Sequence, residues 1–245
     1  PVNDEPSFSA GSDQTVLEDA GAVTVAGWAT ALSPGAPPDE ASQSLSFSVS
    51  NDNSGLFSVE PFVDSSGTLT FTPAADANGS ATVTVSIADD GGTADGGIDT
   101  SPDQTFTIDV TPVNDEPSFS AGSDQSVAED SGPTSVAGWA TAITTGPADE
   151  AGQSVSFSVS NDNNALFSVQ PTVDASGTLS FAPAADANGS ATVTVSMSDD
   201  GGTADGGIDT TPDQTFVIDV SAVNDEPSSD MLTVTVALPL ASAGP

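Results

Sequence analysis

The chain has 245 residues and a formal charge of −36, which comes from 36 Asp and Glu residues without a single Lys, Arg, His, Cys or Tyr. This composition excludes ion pairs between side chains, thiolate and imidazole metal sites, and nucleophiles that depend on a histidine base. It argues against nucleic-acid binding, because nothing can replace the counterions of phosphate. No apolar run approaches the ~20 residues of a membrane span, so we expect no membrane insertion either.

The sequence is a tandem repeat with two full copies and the beginning of a third. Residues 1–8 recur as residues 112–119, and Val-Asn-Asp-Glu-Pro appears a third time at residues 223–227. Such self-similarity indicates repeated structural units. We expect module 1 over residues 1–111, module 2 over residues 112–221, and an aborted third repeat over residues 222–245. Because the chain opens inside a motif, we interpret it as a processed product or a segment of a longer protein.

Each repeat has the pattern of an all-β module. Apolar residues occupy every second position in residues 44–50, 68–72, 80–88 and 104–110, which predicts strands with one buried face. Gly, Pro, Asn and Asp between these runs indicate turns. About seven short strands in ~110 residues predict a Greek-key β-sandwich of immunoglobulin type. The expected core aromatics are Trp28, Phe47, Phe57, Phe71 and Phe106 with their counterparts in module 2; stacking on a sugar is the alternative for either tryptophan.

The tail predicts one further strand, which begins at Met231. Its apolar side chains fall at Leu232, Val234, Val236 and Leu238. A lone strand exposes unpaired backbone groups and has to pair with another strand. The partner is an edge of module 2 or, as we expect, an edge of a neighbouring subunit, which would be strand addition between chains.

The carboxylates gather in the predicted loops and at the module boundaries. Two carboxylates ~4 Å apart repel each other by about 4 kcal/mol at an effective dielectric constant of about 20. Lys and Arg relieve such repulsion in ordinary proteins, whereas here a cation has to come from outside. Ca²⁺ takes roughly six to eight oxygen ligands in flexible geometry, so a calcium site is one interpretation. A solvated acidic surface that aids solubility or tolerates high salt is the other.

The order of the acidic motifs favours calcium, because it is similar to the order of calcium motifs in cadherin repeats. The motifs are Val-x-Glu ending at Glu18, Asp39-Glu40, Asp76, Ala-Asp-Asp-Gly with Asp89 and Asp90, and Val-Asn-Asp-Glu-Pro-x-Phe over residues 113–119. With these motifs the chain resembles the cadherin-like tandem modules of bacterial surface proteins and large adhesins, which often carry a Val-Asn-Asp-x-Pro boundary. The resemblance covers residues 1 to about 227 and is carried by the shared order in both repeats.

The resemblance implies a calcium site at the junction of the modules and half a site at each end. The implied junction ligands are Glu18, Asp76, Asn114, Asp115, Glu116, Asp149, Glu150 and one of Asp199 and Asp200. The N-terminal half-site consists of Asn3, Asp4, Asp39, Glu40, Asp89 and Asp90, and the C-terminal one of Glu129, Asp186, Asn224 and Asp225. Pro112, Asn78 and the adjacent pair Asp149-Glu150 depart from the family pattern, so we expect fewer or weaker ions than the family binds.

The half-sites at the two ends are complementary, so copies could associate head to tail into an open filament; alternatively, the chain is a fragment of a longer array. We predict a calcium-stiffened extracellular or cell-surface structural or adhesive repeat protein, either a filament subunit or a segment of an adhesin. The alternative function is a calcium-dependent module that binds carbohydrate or another cell.

Asn-x-Ser at Asn78 and Asn188 would accept glycans. We expect no enzyme, since the Asp-Thr pairs at Asp99 and Asp209, which faintly resemble aspartic proteases, belong to separate modules.

Overall fold

The computed structural model describes residues 2–35 and 39–225, which form two β modules of the same design. Module 1 contains the strands β1 (Ser7–Ser9), β2 (Gln14–Leu17), β3 (Val23–Val25), β4 (Thr30–Ser33), β5 (Ser46–Asn51), β6 (Phe57–Val63), β7 (Leu69–Pro73), β8 (Gly79–Ala88) and β9 (Gln104–Thr111). Module 2 contains β10 (Ser118–Ser120), β11 (Gln125–Ala128), β12 (Thr134–Val136), β13 (Thr141–Thr144), β14 (Ser156–Asn161), β15 (Phe167–Val173), β16 (Leu179–Pro183), β17 (Gly189–Ser198) and β18 (Gln214–Ser221).

Helical structure in the two described ranges is limited to single 3-10 turns. These turns lie at Ser54–Leu56, Ala94–Gly96, Ala148–Glu150, Asn164–Leu166 and Ala204–Gly206. Within the same ranges no helix is long and apolar enough to cross a membrane. The strand predicted to begin at Met231 lies outside the described residues, so its pairing stays a prediction.

Two sheets face each other in each module. In module 1 a four-stranded sheet has the order β2-β9-β8-β5, with β2 parallel to β9, and a three-stranded sheet has the order β3-β7-β6. A separate pair joins β1 to β4, and module 2 repeats this topology strand for strand. The predicted all-β immunoglobulin-like sandwich is confirmed. The strand segments are more numerous than expected because the first edge region divides, with β1 pairing to β4 and β2 pairing to β9.

The core follows the alternation in the sequence. On β8, Ala81, Val83, Val85 and Ile87 are each at most 1% exposed, while the residues between them are less buried. Trp28 is 3% exposed, its ring centroid lies 4.4 Å from that of Phe106, and its Nε1 donates to the Ser12 carbonyl over 3.1 Å. Trp28 therefore belongs to the core, as does Trp139 at 3% exposure, and neither indole face is open for stacking on a sugar.

Two phenylalanines on neighbouring strands test this core directly. Phe71 on β7 is 1% exposed, whereas Phe62 on β6 is 56% exposed. We expect Phe71→Ala to destabilise module 1 by about 3–5 kcal/mol, because it removes a buried ring and leaves a cavity. Phe62→Ala is the matched control and should change stability by no more than about 0.5 kcal/mol. Urea unfolding followed by circular dichroism measures both, and equal effects of the two substitutions would contradict the sandwich core.

Candidate functional site

The linker between the modules is anchored to module 1 by a buried carboxylate. Glu18 follows β2 directly, and the parallel pairing of β2 with β9 places its N–H 3.1 Å from the Thr111 carbonyl at the end of β9. Glu18 is only 2% exposed, and its Oε1 accepts the backbone N–H of Val113 over 2.7 Å. Hydrogen bonds to a carboxylate are roughly twice as strong as neutral ones. Glu18 therefore fixes the direction in which the chain leaves module 1.

Module 2 anchors the same linker two residues further on. Glu150 ends the 3-10 turn Ala148–Glu150 and is 6% exposed. Its Oε1 accepts the backbone N–H of Asp115 over 2.8 Å. The backbone amides of residues 113 and 115 are thus held by carboxylates from opposite sides of the junction, and Asn114 lies between them.

The Asn114 side chain enters a pocket of module 2 that we call the Asn socket, formed by Gln153, Asp199, Gly201, Gly207 and Ile208. The amide Nδ2 donates to Asp199 Oδ1 over 3.1 Å and to the Ile208 carbonyl over 2.8 Å. The amide Oδ1 accepts from Gln153 Nε2 over 2.8 Å. The backbone carbonyl of Asn114 accepts the Ile208 N–H, also over 2.8 Å. Both amide hydrogens and the amide oxygen of Asn114 are therefore used inside the protein.

Two glycines make room for this side chain. A Cβ on Gly201 would overlap the amide oxygen of Asn114, and a Cβ on Gly207 would lie 2.9 Å from the Asn114 Cβ, closer than such carbons approach in proteins. Gly201 follows the Asp199-Asp200 pair, and Gly207 precedes Ile208-Asp209. The acidic, glycine-rich loop of residues 199–207 and the Gly-Ile-Asp-Thr sequence of residues 207–210 thus together receive the asparagine of the linker.

Module 1 has the same socket, filled by Asn3. The Asn3 Nδ2 donates to Asp89 Oδ1 over 2.9 Å and to the Ile98 carbonyl over 2.8 Å, and its Oδ1 accepts from Gln43 Nε2 over 2.7 Å. Gly91 and Gly97 take the places of Gly201 and Gly207, and the backbone N–H of Asp4 donates to Glu40 Oε1 over 2.6 Å. The predicted N-terminal residues Asn3, Asp4, Glu40 and Asp89 therefore come together, although as an internal hydrogen-bond network.

The C-terminal end of module 2 repeats the first anchor. Glu129 is 5% exposed, and its Oε1 accepts the backbone N–H of Val223 over 2.7 Å, as Glu18 does for Val113. Asn224 follows and is exposed, and among the described residues its amide donates only to the Asp225 carbonyl over 3.3 Å. The third boundary motif is thus presented by module 2 without a socket to receive it in the described part of the chain.

The side chain of Asn78 reaches from module 1 to module 2. The Asn78 amide donates to Asp149 Oδ2 of module 2 over 2.8 Å and approaches Glu18 Oε2 at 3.4 Å. Its counterpart Asn188 donates to Glu129 Oε2 over 3.2 Å. Asn78 and Asp149 also line a cleft of about 260 Å³ between the modules. The sequence predicted a glycan acceptor and a departure from the family pattern at Asn78, but not this bridge, although the recurrence of residues 76–80 as 186–190 was a usable signal.

Several carboxylates crowd around the linker. Burial above all, followed by the charges of Asp76, Asp19 and Asp149, raises the pKa of Asp115. Burial also raises the pKa of Glu150, against the effect of the Asp115 N–H that it accepts. Asp19 was not among the predicted ligands, although an Asp follows the buried Glu in both modules.

The same crowding recurs at the far end of module 2. The charge of Asp186 is the largest cause that raises the pKa of Asp225, followed by burial and by the charges of Asp130 and Glu129. The predicted C-terminal residues Glu129, Asp186 and Asp225 therefore lie together.

The other predicted ligands take less part in the junction. Asp200 and Asp90 accept the backbone N–H groups of Ser154 and Ser44, so Asp199 is the member of its pair that faces the linker. Glu116 and Asp39 are exposed, and no hydrogen bond to another described residue holds their side chains.

The oxygen atoms left over fit the chemistry of a hard cation. In module 2 the buried atoms Glu150 Oε2, Gln153 Oε1 and Asp199 Oδ2 accept no hydrogen bond from a described residue, and in module 1 the same holds for Glu40 Oε2, Gln43 Oε1 and Asp89 Oδ2. A buried oxygen without a donor is costly, and carboxylate and amide oxygens are the ligands that Ca²⁺ takes. In the described ranges, however, no three acidic side chains converge closely enough to hold one ion as they stand. Binding would therefore require side chains to turn toward the ion.

Comparison with known proteins supports the fold. Residues 3–101 match the family described as Bacterial Ig domain. A crystal structure of human protocadherin-24 EC1-2, form II, superposes with a TM-score of 0.53 at 20% identity over 89% of this chain and 99% of that one. A second human protocadherin-24 EC1-2 structure gives 0.51 at 18% identity over 91% and 100%. No curated protein matches the sequence. The chain consists of tandem Ig/cadherin-like modules.

The crowding at the linker predicts a pH effect of definite sign. The pKa of Asp115 is raised in the folded protein, so its stabilising contribution is complete below the ordinary value of 3.8 and is lost as the pH rises through the raised value. Without metal, stability should therefore increase as the pH falls toward 3.8, and Asp115→Asn should weaken this increase and raise the melting temperature at pH ~7.

Asp64 provides a control of opposite sign. The Ser66 hydroxyl and the Thr68 N–H lower its pKa, so its contribution is present above 3.8 and is lost as the pH falls through the lowered value. Asp64→Asn should lower the melting temperature at neutral pH. Melting curves in chelator over a pH series measure both variants, and an Asp115→Asn profile parallel to that of the unmodified protein would contradict the interpretation.

Proposed function

We propose that this chain is an extracellular structural spacer whose modules are set at a defined angle by the linker and stiffened further by calcium. The observation that carries the proposal is the double anchoring of the linker, with Glu18 holding the Val113 amide and Glu150 holding the Asp115 amide. A covalent linker alone would let the modules swing. Hydrogen bonds from both sides within three consecutive residues restrict that motion, which is what a spacer requires.

Repetition supports a mechanical role. Both modules carry the same buried glutamates and the same Asn socket at corresponding positions, so each further module of this type would join by the same contacts. A spacer is extended by adding copies, whereas a receptor site needs only one. Placement outside the cell rests on the resemblance to surface proteins and on the charge of −36, which external cations would balance.

Calcium would act on the charge at the junction. Exposed Asp76 and Asp149 and half-buried Asp115, with Asp19 beside them, lie around the linker and would supply carboxylate ligands. The oxygens of Glu150 and Asp199 that accept no hydrogen bond from a described residue would supply the buried ones. The ion supplies positive charge where this chain has none of its own. Extracellular modules bind calcium with Kd values of roughly 0.1–1 mM. At about 100 times Kd, one site adds about 2.7 kcal/mol to the bound state.

Removing charge from the junction should reduce the response to calcium. We expect calcium to raise the melting temperature of the unmodified protein and to narrow its distribution of inter-module angles in small-angle scattering. Asp76→Asn/Asp149→Asn should lose most of both effects, because two exposed ligands are gone. The control Asp103→Asn/Asp219→Asn removes the same charge at exposed positions toward the outer ends of the two modules, before β9 begins and near the end of β18, and should keep them. Unchanged melting and scattering of the unmodified protein on addition of calcium would sink the calcium part of the proposal.

The repeat also offers a control for the contact across the junction. Asn78→Ala removes the hydrogen bond to Asp149, so we expect a wider range of inter-module angles at an almost unchanged melting temperature of each module. Asn188→Ala removes only the bond to Glu129 inside module 2 and should leave those angles unchanged. Residual dipolar couplings of the two modules measure the difference. If both variants behave alike, the Asn78 bridge does not orient the modules.

A further inference from the structure

Asn224 is held ready in the conformation that places Asn114 in its socket. In both cases the preceding valine donates its N–H to a buried glutamate over 2.7 Å. In both cases the asparagine amide lies 3.3 Å from the carbonyl of the following aspartate. The Asn114 amide makes further bonds to its socket, whereas the exposed Asn224 amide makes none to the other described residues. Within residues 2–35 and 39–225, module 2 therefore presents a preformed asparagine that no socket receives.

The socket is selective for asparagine. Asp89 Oδ1 and the Ile98 carbonyl accept the two amide hydrogens, and Gln43 Nε2 donates to the amide oxygen. An aspartate would donate to neither acceptor and would place a carboxylate oxygen against the Asp89 carboxylate and the Ile98 carbonyl. A larger side chain is excluded because Gly91 and Gly97 already lie against the amide and Cβ of Asn3.

We propose that Asn224 of one copy docks in the Asn socket of module 1 of a second copy, where it replaces Asn3. The proposal rests on the spacer function, for which it names the contact between copies. The residues that flank Asn3 and Asn224 are the same Val-Asn-Asp-Glu-Pro, so the exchange replaces each hydrogen bond in the socket by an identical one. One new contact forms: Asn188 and Asp39 occupy the positions of Asn78 and Asp149, which are bonded across the internal junction.

The exchange makes association weak while Asn3 fills the socket. Identical bonds cancel, and joining two molecules costs translational and rotational freedom that the exchange does not repay. The apparent affinity is further reduced by the small fraction of molecules whose socket is open. Because the contact joins two different faces of the chain, it is heterologous and extends to longer assemblies instead of closing as a dimer.

The test removes the Asn3 side chain from the socket of module 1. Sedimentation velocity of the full chain over a concentration series, in chelator with about 0.5 M NaCl to screen the charge, measures association. We expect Asn3→Ala to strengthen association at least about tenfold over the unmodified protein, because the competing side chain is removed. Asn3→Ala/Asn224→Ala, which lacks the docking residue, and Asn3→Ala/Gly91→Ala, whose socket is obstructed, should both sediment as monomers.

The outcomes separate this inference from the proposed function. An Asn3→Ala protein that associates no more than the unmodified chain, or an Asn3→Ala/Asn224→Ala protein that still associates, overturns the docking. Circular dichroism and the emission of buried Trp28 verify that module 1 is folded in each variant. Since calcium is absent throughout, failure of the calcium proposal leaves this result untouched, and failure of the docking leaves the internal junction untouched.

Discussion

Every buried carboxylate in this protein has to find its hydrogen-bond donors without a basic side chain. The structure meets this constraint with backbone N–H groups and side-chain amides. Glu18, Glu40, Glu129 and Glu150 are all less than 7% exposed, and each accepts the N–H of a residue in a boundary motif. Buried glutamates therefore hold the linker, and their negative charge contributes to the structure at the module boundary.

The two modules act as internal controls for each other. The socket distances around Asn3 and Asn114 agree within about 0.2 Å although the flanking loops differ in length and sequence. A contact that depends on a neighbouring module differs between the two copies: Asn78 reaches Asp149 of module 2, while Asn188 stays within its own module. This difference identifies the Asn78 bridge as a contact specific to the joint.

The sequence was sufficient for the fold class. Alternation along residues 80–88 marks β8 because its apolar residues face the core and its polar residues do not. The roles of individual residues could not be predicted in the same way. Metal binding by Asn114 stays a prediction, but the partners of its amide lie 85 and 94 positions away, and no local pattern encodes such partners. Asp19 and the bridging role of Asn78 were missed because the family pattern emphasises other positions.

These contacts distinguish the interactions that set the geometry of the linker from those that would strengthen it. Because Glu18 and Glu150 hold the linker amides and the socket holds Asn114, the path of the chain between the modules is set by hydrogen bonds that need no ion. What those bonds leave unresolved is the cost of holding carboxylates close together, since burial and, after it, the charges of neighbouring carboxylates raise the pKa of Asp115 and of Glu150. A cation bound here would therefore strengthen a geometry that already exists. On this view the asparagine and its glycine-lined socket set the direction of the joint, and the proposed calcium would determine only how firmly that direction is kept.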